Sequence, residues 1–324
     1  MDLIRLLDIL SDGKYHSGVE IGGQLGVSRT AVWKSLSKLA DDGVALDVVK
    51  GKGYRIIGGL DLLSRDEILT YLESRSIHPD KLSILQSVDS TNSYLMRDDS
   101  GLQGYSLCLA ERQTLGRGRR GREWHSPYAK NLYLSMSFSL SGGGEALEGL
   151  SLALGVAVAN CLSSQGVKGV GLKWPNDIWV GGKKLAGILV ELKGEAEFGW
   201  KVVAGVGVNV LMTEHEGKDV GQPWTSIDAV AGELSHGRSV WAAMIIESLV
   251  ETLERYRAEG VDCILADWSR FDILHGRQVV LSSGGVSGMC HGIDSKGRLL
   301  VSVDGEMKSI NAGEVSVRPN ESSS

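Results

Sequence analysis

The first part of the chain reads as three short helices in succession. Residues 3–10 carry apolar side chains at positions 3, 6, 7 and 10, which fall on one face of a helix. Ser17 and Glu20 have the spacing of a capping box, so a second helix should begin there and end near Gly26. Ser28 is a further helix-capping residue and should open the third helix.

The third helix and the segment after it complete a recognisable arrangement. Val32, Leu36 and Leu39 recur at helical spacing, and Gly43 is placed to end the helix. The strand-like stretches VALDVV and YRII then flank KGKG, which predicts a hairpin with a basic tip. Three helices followed by a basic hairpin predict a winged helix-turn-helix domain over residues 1–60.

In a winged helix-turn-helix, the start of the third helix enters the major groove of DNA and the hairpin touches the backbone. The candidate DNA-binding residues face away from the apolar stripe or lie at the hairpin tip. They are Arg29, Thr30, Trp33, Lys34, Lys50 and Lys52. A single unit makes few contacts, so specific binding favours a dimer on a two-part operator.

The rest of the chain mixes helices with strands and then changes to strands alone. Apolar strands such as NLYLSMSFSL and WKVVAGVGVNV alternate with long helical segments, so residues 65–270 should form an α+β domain with a mixed sheet. SGGGE, at 141–145, is a glycine-rich loop within it. Residues 275–320 contain short strands divided by tight turns, which predicts a small SH3-like β-barrel.

One stretch, from Gln113 to Trp124, carries the chemistry. QTLGRGRRGREW combines three glycines, which expose backbone N–H groups, with four arginines that suit carboxylate and phosphate. We expect a loop that closes over an anionic ligand. A solvated basic loop or a non-specific nucleic-acid patch is the alternative. A Rossmann dinucleotide site is excluded, because a strand follows the last glycine where that motif requires a helix.

Composition narrows the classes of function. The chain has 324 residues, 42% of them hydrophobic, and a net charge of −6, so it is not a general polyanion binder. Residues 1–60 hold 8 basic and 7 acidic side chains against 26 and 33 in the remainder, which favours a local nucleic-acid contact at the N-terminal end. The four cysteines form no CxxC pair, the histidines show no metal-ligand spacing, and no apolar run reaches membrane-spanning length. We therefore expect a cytoplasmic protein without membrane association.

The motifs SVDSTN, ERQTLGRGRRGREW, KWPNDI, KLAGIL and GVGVN, in this order, resemble the catalytic domain of biotin–protein ligases. With the helix-turn-helix in front, the chain is similar to the bacterial bifunctional biotin ligases and biotin operon repressors. The resemblance implies that biotin and ATP, with Mg²⁺, give biotinyl-5′-AMP. Biotin would then pass to a lysine of the biotin carboxyl carrier protein of acetyl-CoA carboxylase. It also implies a repressor of biotin biosynthesis genes that has biotinyl-5′-AMP as corepressor and is a homodimer when it holds the adenylate.

The resemblance further implies a role for individual residues. Catalysis by charge neutralisation would involve Lys184, Arg119 and Arg117. Biotin would contact Ser90, Thr91, Asn92, Gln113, Gly116, Arg117, Gly118, Arg119, Tyr133, Lys184, Gly187, Gly205 and Val208. ATP and the adenylate would contact Arg122, Lys173, Asn176, Asp177, Asn209, Trp224 and Arg318. No metal site made by protein alone is expected; Mg²⁺ would enter with ATP, with Asp177 as a candidate ligand.

Several readings stay open at the level of sequence. Taken alone, Ser90 and Thr91 fit plain helix caps, Trp224 fits a core residue, and Lys184 fits a surface lysine after a glycine turn. The whole chain fits an enzyme that is also a repressor, or a ligase whose DNA-binding domain no longer represses. A transcription factor with a degenerate catalytic fold is a third reading, which the intact GRGRRG and KWPND motifs argue against.

Overall fold

The computed structural model describes residues 3–98, 104–141, 147–195, 199–232, 236–281, 287–311 and 317–319. Its helices are α1 Leu3–Leu10, α2 Gly18–Leu25, α3 Arg29–Asp41, α4 Arg65–Ser74, α5 Thr91–Arg97, α6 Leu150–Ser164, α7 Ile227–Ala231, α8 Arg238–Glu259 and α9 Leu265–Phe271. The first nine strands are β1 Leu46–Val49, β2 Gly53–Ile56, β3 Lys81–Leu85, β4 Ser106–Ala110, β5 Leu132–Leu140, β6 Val170–Lys173, β7 Asp177–Val180, β8 Lys183–Glu195 and β9 Gly199–Val208. The last five are β10 Gln278–Leu281, β11 Ser287–Ile293, β12 Leu299–Val303, β13 Glu306–Ile310 and β14 Val317–Pro319.

The N-terminal helices and hairpin form a winged helix-turn-helix, as the sequence predicts. The side chain of Ser17 accepts a hydrogen bond from the backbone N–H of Glu20, and the reciprocal bond of the capping box is also present. Gly26 ends α2 in the left-handed conformation with φ 66°, where glycine has no steric penalty. β1 and β2 pair antiparallel to make the wing. The apolar stripes of α1 and α3 meet in one core with the inner residues of the wing.

A seven-stranded mixed sheet forms the centre of the molecule, with strand order β3-β4-β5-β9-β8-β7-β6. Only β3 and β4 run parallel, and every other neighbouring pair is antiparallel. The mixed sheet and the α+β class are confirmed. Helix α5 begins at Thr91, and Ser90 is its cap.

Alternation along the central strands sends side chains to two different faces. In β9, Val202, Ala204, Val206 and Val208 are buried in the main core, which α6 and α8 cover. The alternate positions face the other side of the sheet, where α5 covers parts of β4, β5 and β9. The area that α5 leaves uncovered, over β7, β8 and β9, is open for a ligand.

The C-terminal strands form a five-stranded antiparallel sheet with order β13-β12-β11-β10-β14, which confirms the small SH3-like unit. It joins the central part without a gap in the core, because its buried residues belong to the same apolar cluster. The indole N–H of Trp174 donates a hydrogen bond of 3.0 Å to the carbonyl of Gly297. Helix α9, which the sequence analysis did not identify, lies in the chain just before this unit.

Consecutive residues at the end of β4 tie the winged helix to the central sheet. Glu111 accepts a hydrogen bond of 2.7 Å from the backbone N–H of Leu63 in the linker and pairs with Arg238 at 2.7 Å. Both side chains of that ion pair are fully buried. Arg112 next to it pairs with Asp42, at the end of α3. The linker and the end of α3 are therefore both held at the end of β4, and the winged helix is attached to the central part by charge as well as by packing.

Three further observations bear on the sequence predictions. Among the described residues, no helix has both the length and the apolar character needed to cross a bilayer. All four cysteines are buried free thiols. Of the glycine-rich loop predicted at 141–145, Ser141 alone lies within the described residues.

Candidate active site

A cleft of about 1340 Å³ lies over the uncovered face of the central sheet. Its floor is made by glycines on neighbouring strands, since Gly187 pairs with Gly207 and Gly205 pairs with Leu189 across β8 and β9. A Cβ added at Gly207 would lie 2.4 Å from the Trp124 indole, and one at Gly205 would lie 2.4 Å from the Asn92 side chain. The absence of side chains at these positions thus creates the space in which other groups, or a ligand, approach the backbone.

Most of the predicted site residues meet at this cleft. Those that line it are Ser90, Thr91, Asn92, Gln113, Arg117, Gly118, Arg119, Arg122, Tyr133, Lys173, Asn176, Asp177, Lys184, Gly187, Gly205, Asn209 and Trp224. They come from α5, from the loop after β4 and from five strands or the turns that follow them. The structure therefore brings residues far apart in sequence to a single surface.

One end of the cleft is polar and uncharged. Gln113 Oε1 accepts hydrogen bonds from the backbone N–H of Thr91 at 2.9 Å and from its hydroxyl at 3.1 Å. Ser135 Oγ lies 2.7 Å from Thr91 Oγ1 and 2.6 Å from Asn92 Oδ1. Ser90 caps α5, accepting from the backbone N–H of Ser93. This buried set of hydroxyls and amides suits a neutral ligand group with several donors and acceptors.

The arginine–glycine loop is a folded hairpin. The backbone N–H of Gly118 donates to Arg122 O at 2.7 Å, and that of Trp124 donates to Gly116 O at 2.9 Å. Left-handed backbone occurs only at Arg120, with φ 58°, and at Gly121, with φ 70°, within this loop. Gly116 is required for another reason, because an added Cβ would lie 2.5 Å from the Trp124 carbonyl.

The basic side chains of the site meet oxygen atoms around the cleft. Lys184 Nζ lies 2.8 Å from Asp177 Oδ1, and Arg117 Nη2 lies 2.9 Å from Glu191 Oε2. Arg119 Nη1 donates a bond of 3.2 Å to the side-chain carbonyl of Asn176.

The environment of Arg119 is unfavourable for a positive charge. Burial lowers the pKa of its guanidinium, and the charges of Arg120 and Arg122 lower it further, while Asp177 acts in the opposite direction. An anion entering the cleft would relieve that repulsion. Lys173 adds a further cation at this end, with Nζ 4.3 Å from the centre of the Trp179 ring.

Trp224 and Asn209 lie together beside Lys184. Trp224 forms an isolated parallel bridge with Lys184, and its indole N–H donates to Gly217 O at 3.1 Å. The Asn209 side chain is buried and donates to Thr225 O at 3.0 Å. Asn209 thus holds the segment that carries Trp224, a role that the sequence analysis did not assign to it.

Three predicted contacts differ from expectation or fall outside what is described. Val208 points into the main core and does not line the cleft, because its neighbour Gly207 occupies the cleft face of β9. Gly116 is buried under the Trp124 carbonyl and is not part of the lining either. Arg318 lies in β14 opposite Val280, and its side chain is outside the described residues.

Trp124 is a site residue that the sequence analysis did not assign. Its ring lies against the floor glycines Gly187 and Gly207, and Lys184 Nζ is 5.4 Å from the ring centre. Its indole N–H is buried and has no hydrogen-bond partner among the described residues. A large aromatic ring directly after a cationic glycine loop was the available signal. Tyr133, beside it, donates to Pro127 O at 2.7 Å, and burial raises the pKa of this phenol.

The predicted DNA-binding residues all lie on the surface. Arg29, Thr30, Trp33 and Lys34 are exposed on the first turns of α3, and 55% of Trp33 is accessible to solvent. Lys50 and Lys52 are exposed at the tip of the wing. Within the described residues, no group of three or more His, Cys, Asp or Glu side chains could hold a metal ion.

Comparison with known proteins covers the whole chain. The model of the Biotin/lipoate A/B protein ligase family matches residues 84–209, an HTH domain matches 3–55, and the Biotin protein ligase C terminal domain matches 274–318. Bifunctional ligase/repressor BirA of Escherichia coli (strain K12) is 39% identical over 98% of both chains. The protein of that name from Bacillus subtilis (strain 168) is 30% identical over 97% of both. A structure of biotin protein ligase from Aquifex aeolicus in complex with biotin and ATP has 28% identity and a TM-score of 0.63, and the match covers 74% of this chain and 100% of that one.

Proposed function

This chain belongs to the bacterial bifunctional ligase/repressor family of biotin–protein ligases, and we propose that it activates biotin with ATP and transfers it to a protein lysine. The observation that carries the proposal is a cleft with an uncharged polar end at Thr91 and Gln113 and a cationic end at Arg119 and Lys184. Biotin has a neutral ureido head and a carboxylate tail, and ATP is polyanionic. Each end of the cleft therefore suits one part of the reacting pair.

We place the biotin head against the hydroxyls and amides of Ser90, Thr91, Asn92 and Gln113, with its bicycle over the floor glycines. The carboxylate and the α-phosphate would then both lie toward Lys184, with Arg117 and Arg119 on the loop that closes over biotin and the phosphates. Adenine would stack near Trp224, with Asn209 holding that segment in place. Arg122, Lys173 and Asn176 would meet the phosphates, and Arg318 would reach the nucleotide from the C-terminal sheet.

In the first step, a carboxylate oxygen of biotin attacks the α-phosphorus, a P–O bond to the β-phosphate breaks, and pyrophosphate leaves with the bonding electrons. Two anions must approach, so fixed positive charges at Lys184, Arg117 and Arg119 would lower the barrier by neutralising the developing charge. In the second step, a lysine amine attacks the acyl carbon of the mixed anhydride, AMP leaves, and the amine loses a proton.

Mg²⁺ fits this site as an ion that arrives with ATP. Mg²⁺ is usually held by one or two carboxylates plus substrate phosphates, and Asp177 supplies a carboxylate at the cationic end. When bound, Mg²⁺ would neutralise phosphate charge. Asp177 would exchange its contact with Lys184 for the ion, which frees the ammonium group for the substrate.

We also propose that the winged helix at residues 1–60 binds the operator of biotin biosynthesis genes, with the ligase domain at 65–270 and the barrel at 275–320. Biotinyl-5′-AMP would be the corepressor and would favour a homodimer. The acceptor would be the biotin carboxyl carrier protein of acetyl-CoA carboxylase. The free buried thiols suit a cytoplasmic location.

The test of the enzymatic proposal is isotope exchange between pyrophosphate and ATP with purified protein and Mg²⁺. We expect exchange that depends on biotin and is absent with lipoate, followed by transfer of biotin to a purified carrier domain. Exchange without biotin, or its absence in a folded protein, would refute the proposal.

A further inference from the structure

Glu191 lies at the border between α5 and the open cleft. It sits on β8 opposite Val203 of β9, two positions along the strand from Leu189, which lines the cleft. By the alternation of a strand, its side chain leaves the sheet on the cleft face. About 25% of the side chain is exposed, so the carboxylate is largely withdrawn from solvent without being sealed in the core.

One oxygen of this carboxylate joins two functional segments. Glu191 Oε2 accepts a bond of 2.8 Å from Asn92 Nδ2, at the start of α5, and one of 2.9 Å from Arg117 Nη2, in the arginine–glycine loop. Asn92 is itself fixed, because its Nδ2 also donates to Leu189 O at 3.2 Å and its Oδ1 accepts from Ser135. The arginine is thereby attached to a rigid part of the sheet.

The contact leaves part of the guanidinium available. Nη2 of Arg117 also donates to Ser93 Oγ at 2.9 Å, so both bonds of this group with described residues use the same nitrogen. The side chain is 44% exposed. Nε and Nη1 make no hydrogen bond with the described residues, so each keeps an N–H that can donate to a ligand. These two N–H groups diverge, so each would donate singly and the two would not form a bidentate pair.

We propose that Glu191 is a positioning residue for biotin binding, holding Arg117 beside the start of α5 so that its guanidinium meets the biotin placed there. The inference rests on the proposed function. A carboxylate beside an arginine has an alternative role, which is to compete with the substrate for that arginine. The two roles have opposite consequences, since removing a support weakens substrate binding and removing a competitor strengthens it.

The experiment compares Glu191→Ala, Glu191→Gln and a matched control, Glu247→Ala, in full-length protein. Glu247 lies on α8, away from the cleft, and its carboxylate is 20% exposed. It accepts a hydrogen bond from Tyr71 and forms an ion pair with Arg75. Biotin-dependent pyrophosphate exchange gives kcat and KM for each protein. We expect Glu191→Ala to raise the KM for biotin about fivefold. This is the effect of losing a hydrogen bond to a charged group, reduced because the pair is partly exposed to solvent. Glutamine keeps an acceptor oxygen and should recover most of the loss, and Glu247→Ala should match the wild type.

A double-mutant cycle with Arg117→Ala decides whether Glu191 acts through the arginine. If it does, Glu191→Ala adds no further loss once Arg117 is removed. Additive losses, a lower KM in Glu191→Ala, or equal effects of Glu191→Ala and Glu247→Ala would each overturn the inference. Biotin-independent behaviour of the wild type would instead count against the proposed function, so the two failures are distinguishable.

Discussion

At the scale of single residues, the cleft is a set of charges that already have partners. Lys184 pairs with Asp177 and Arg117 pairs with Glu191, while Arg119 contacts an amide oxygen. Substrate binding must therefore exchange one set of electrostatic contacts for another. Such an arrangement keeps the side chains oriented before the reaction, which is the condition for effective electrostatic stabilisation of a transition state.

Lys184→Ala tests the charge that our proposal places at the reacting phosphate. Removing one such contact typically costs about 2.7–4 kcal/mol of transition-state stabilisation, so pyrophosphate exchange should fall by about two to three orders of magnitude. Lys183→Ala is the matched control, because Lys183 precedes it on β8 and is exposed outside the cleft lining. Circular dichroism should show both variants folded. Near-normal exchange in Lys184→Ala would contradict the assigned role.

Arg119→Gly tests retention of the intermediate. The guanidinium lies at the cleft beside Asn176, despite the repulsion from Arg120 and Arg122. Its loss should weaken binding of the adenylate phosphate. We expect faster release of biotinyl-5′-AMP and biotinylation of lysines on unrelated proteins. Lys168→Gly removes an exposed charge outside the cleft lining and is the control. Equal adenylate dissociation rates in Arg119→Gly and wild type would exclude retention by this residue.

At the scale of elements, the site depends on glycine at two alternate positions of β9. Gly205 and Gly207 face the cleft, while the side chains of Val206 and Val208 are buried in the core. One face of the strand therefore leaves room for a ligand and the other packs in the interior. The Trp124 ring rests on this floor and links the arginine–glycine loop to the sheet. The loop and the strand therefore act as a unit in shaping the cleft.

Gly207→Ala should disturb that unit without unfolding the protein. The added Cβ would lie 2.4–2.8 Å from atoms of the Trp124 indole, so the ring must leave its place. We expect biotin affinity to fall by about tenfold and Trp fluorescence to change, because the arginine–glycine loop loses the contact of Trp124 with the floor of the cleft. Gly23→Ala has nothing within 4 Å of the new Cβ and should bind biotin normally. Unchanged biotin affinity in Gly207→Ala would show that the position of Trp124 is irrelevant to the ligand.

Sequence alone predicts the elements better than it predicts what each residue touches. The capping box at Ser17 and the strand WKVVAGVGVNV are local patterns, and both appear as expected. The register of β8 against β9 is a long-range property, so the sequence could not tell that Gly207 and not Val208 faces the cleft. For the same reason the contact of Glu191 with Arg117, separated by 74 positions, had no sequence signal.

At the scale of the whole molecule, buried polar contacts connect the DNA-binding unit with the ligand site. Arg238 pairs with Glu111 and donates from Nε to Asn131 O at 3.2 Å, and Asn131 Nδ2 lies 3.3 Å from Asn209 Oδ1. Asn209 in turn holds the segment of Trp224. These contacts are contiguous from the linker to the end of the cleft at Trp224. They form a physical connection through which ligand binding and the attachment of the winged helix can affect each other.

The last prediction concerns assembly. Biotinyl-5′-AMP should fix the arginine–glycine loop through its phosphate and the segment before Trp224 through its adenine. A second protomer would then dock on a surface that the ligand has already ordered. We expect dimerisation to strengthen by about 1–3 kcal/mol, the usual size of allosteric coupling. The dimer would present two copies of α3 to successive major grooves.

Sedimentation equilibrium at fixed protein concentration, with no ligand, with biotin and with biotinyl-5′-AMP, measures this coupling. Arg29→Ala/Lys34→Ala is the control, because both side chains are exposed on α3. It should dimerise as the wild type does with the adenylate yet lose operator binding in a titration, which separates assembly from DNA contact. A dimerisation constant that is the same under all three conditions would exclude the adenylate as the switch, since a ligand can shift an equilibrium only by its difference in affinity for the two states.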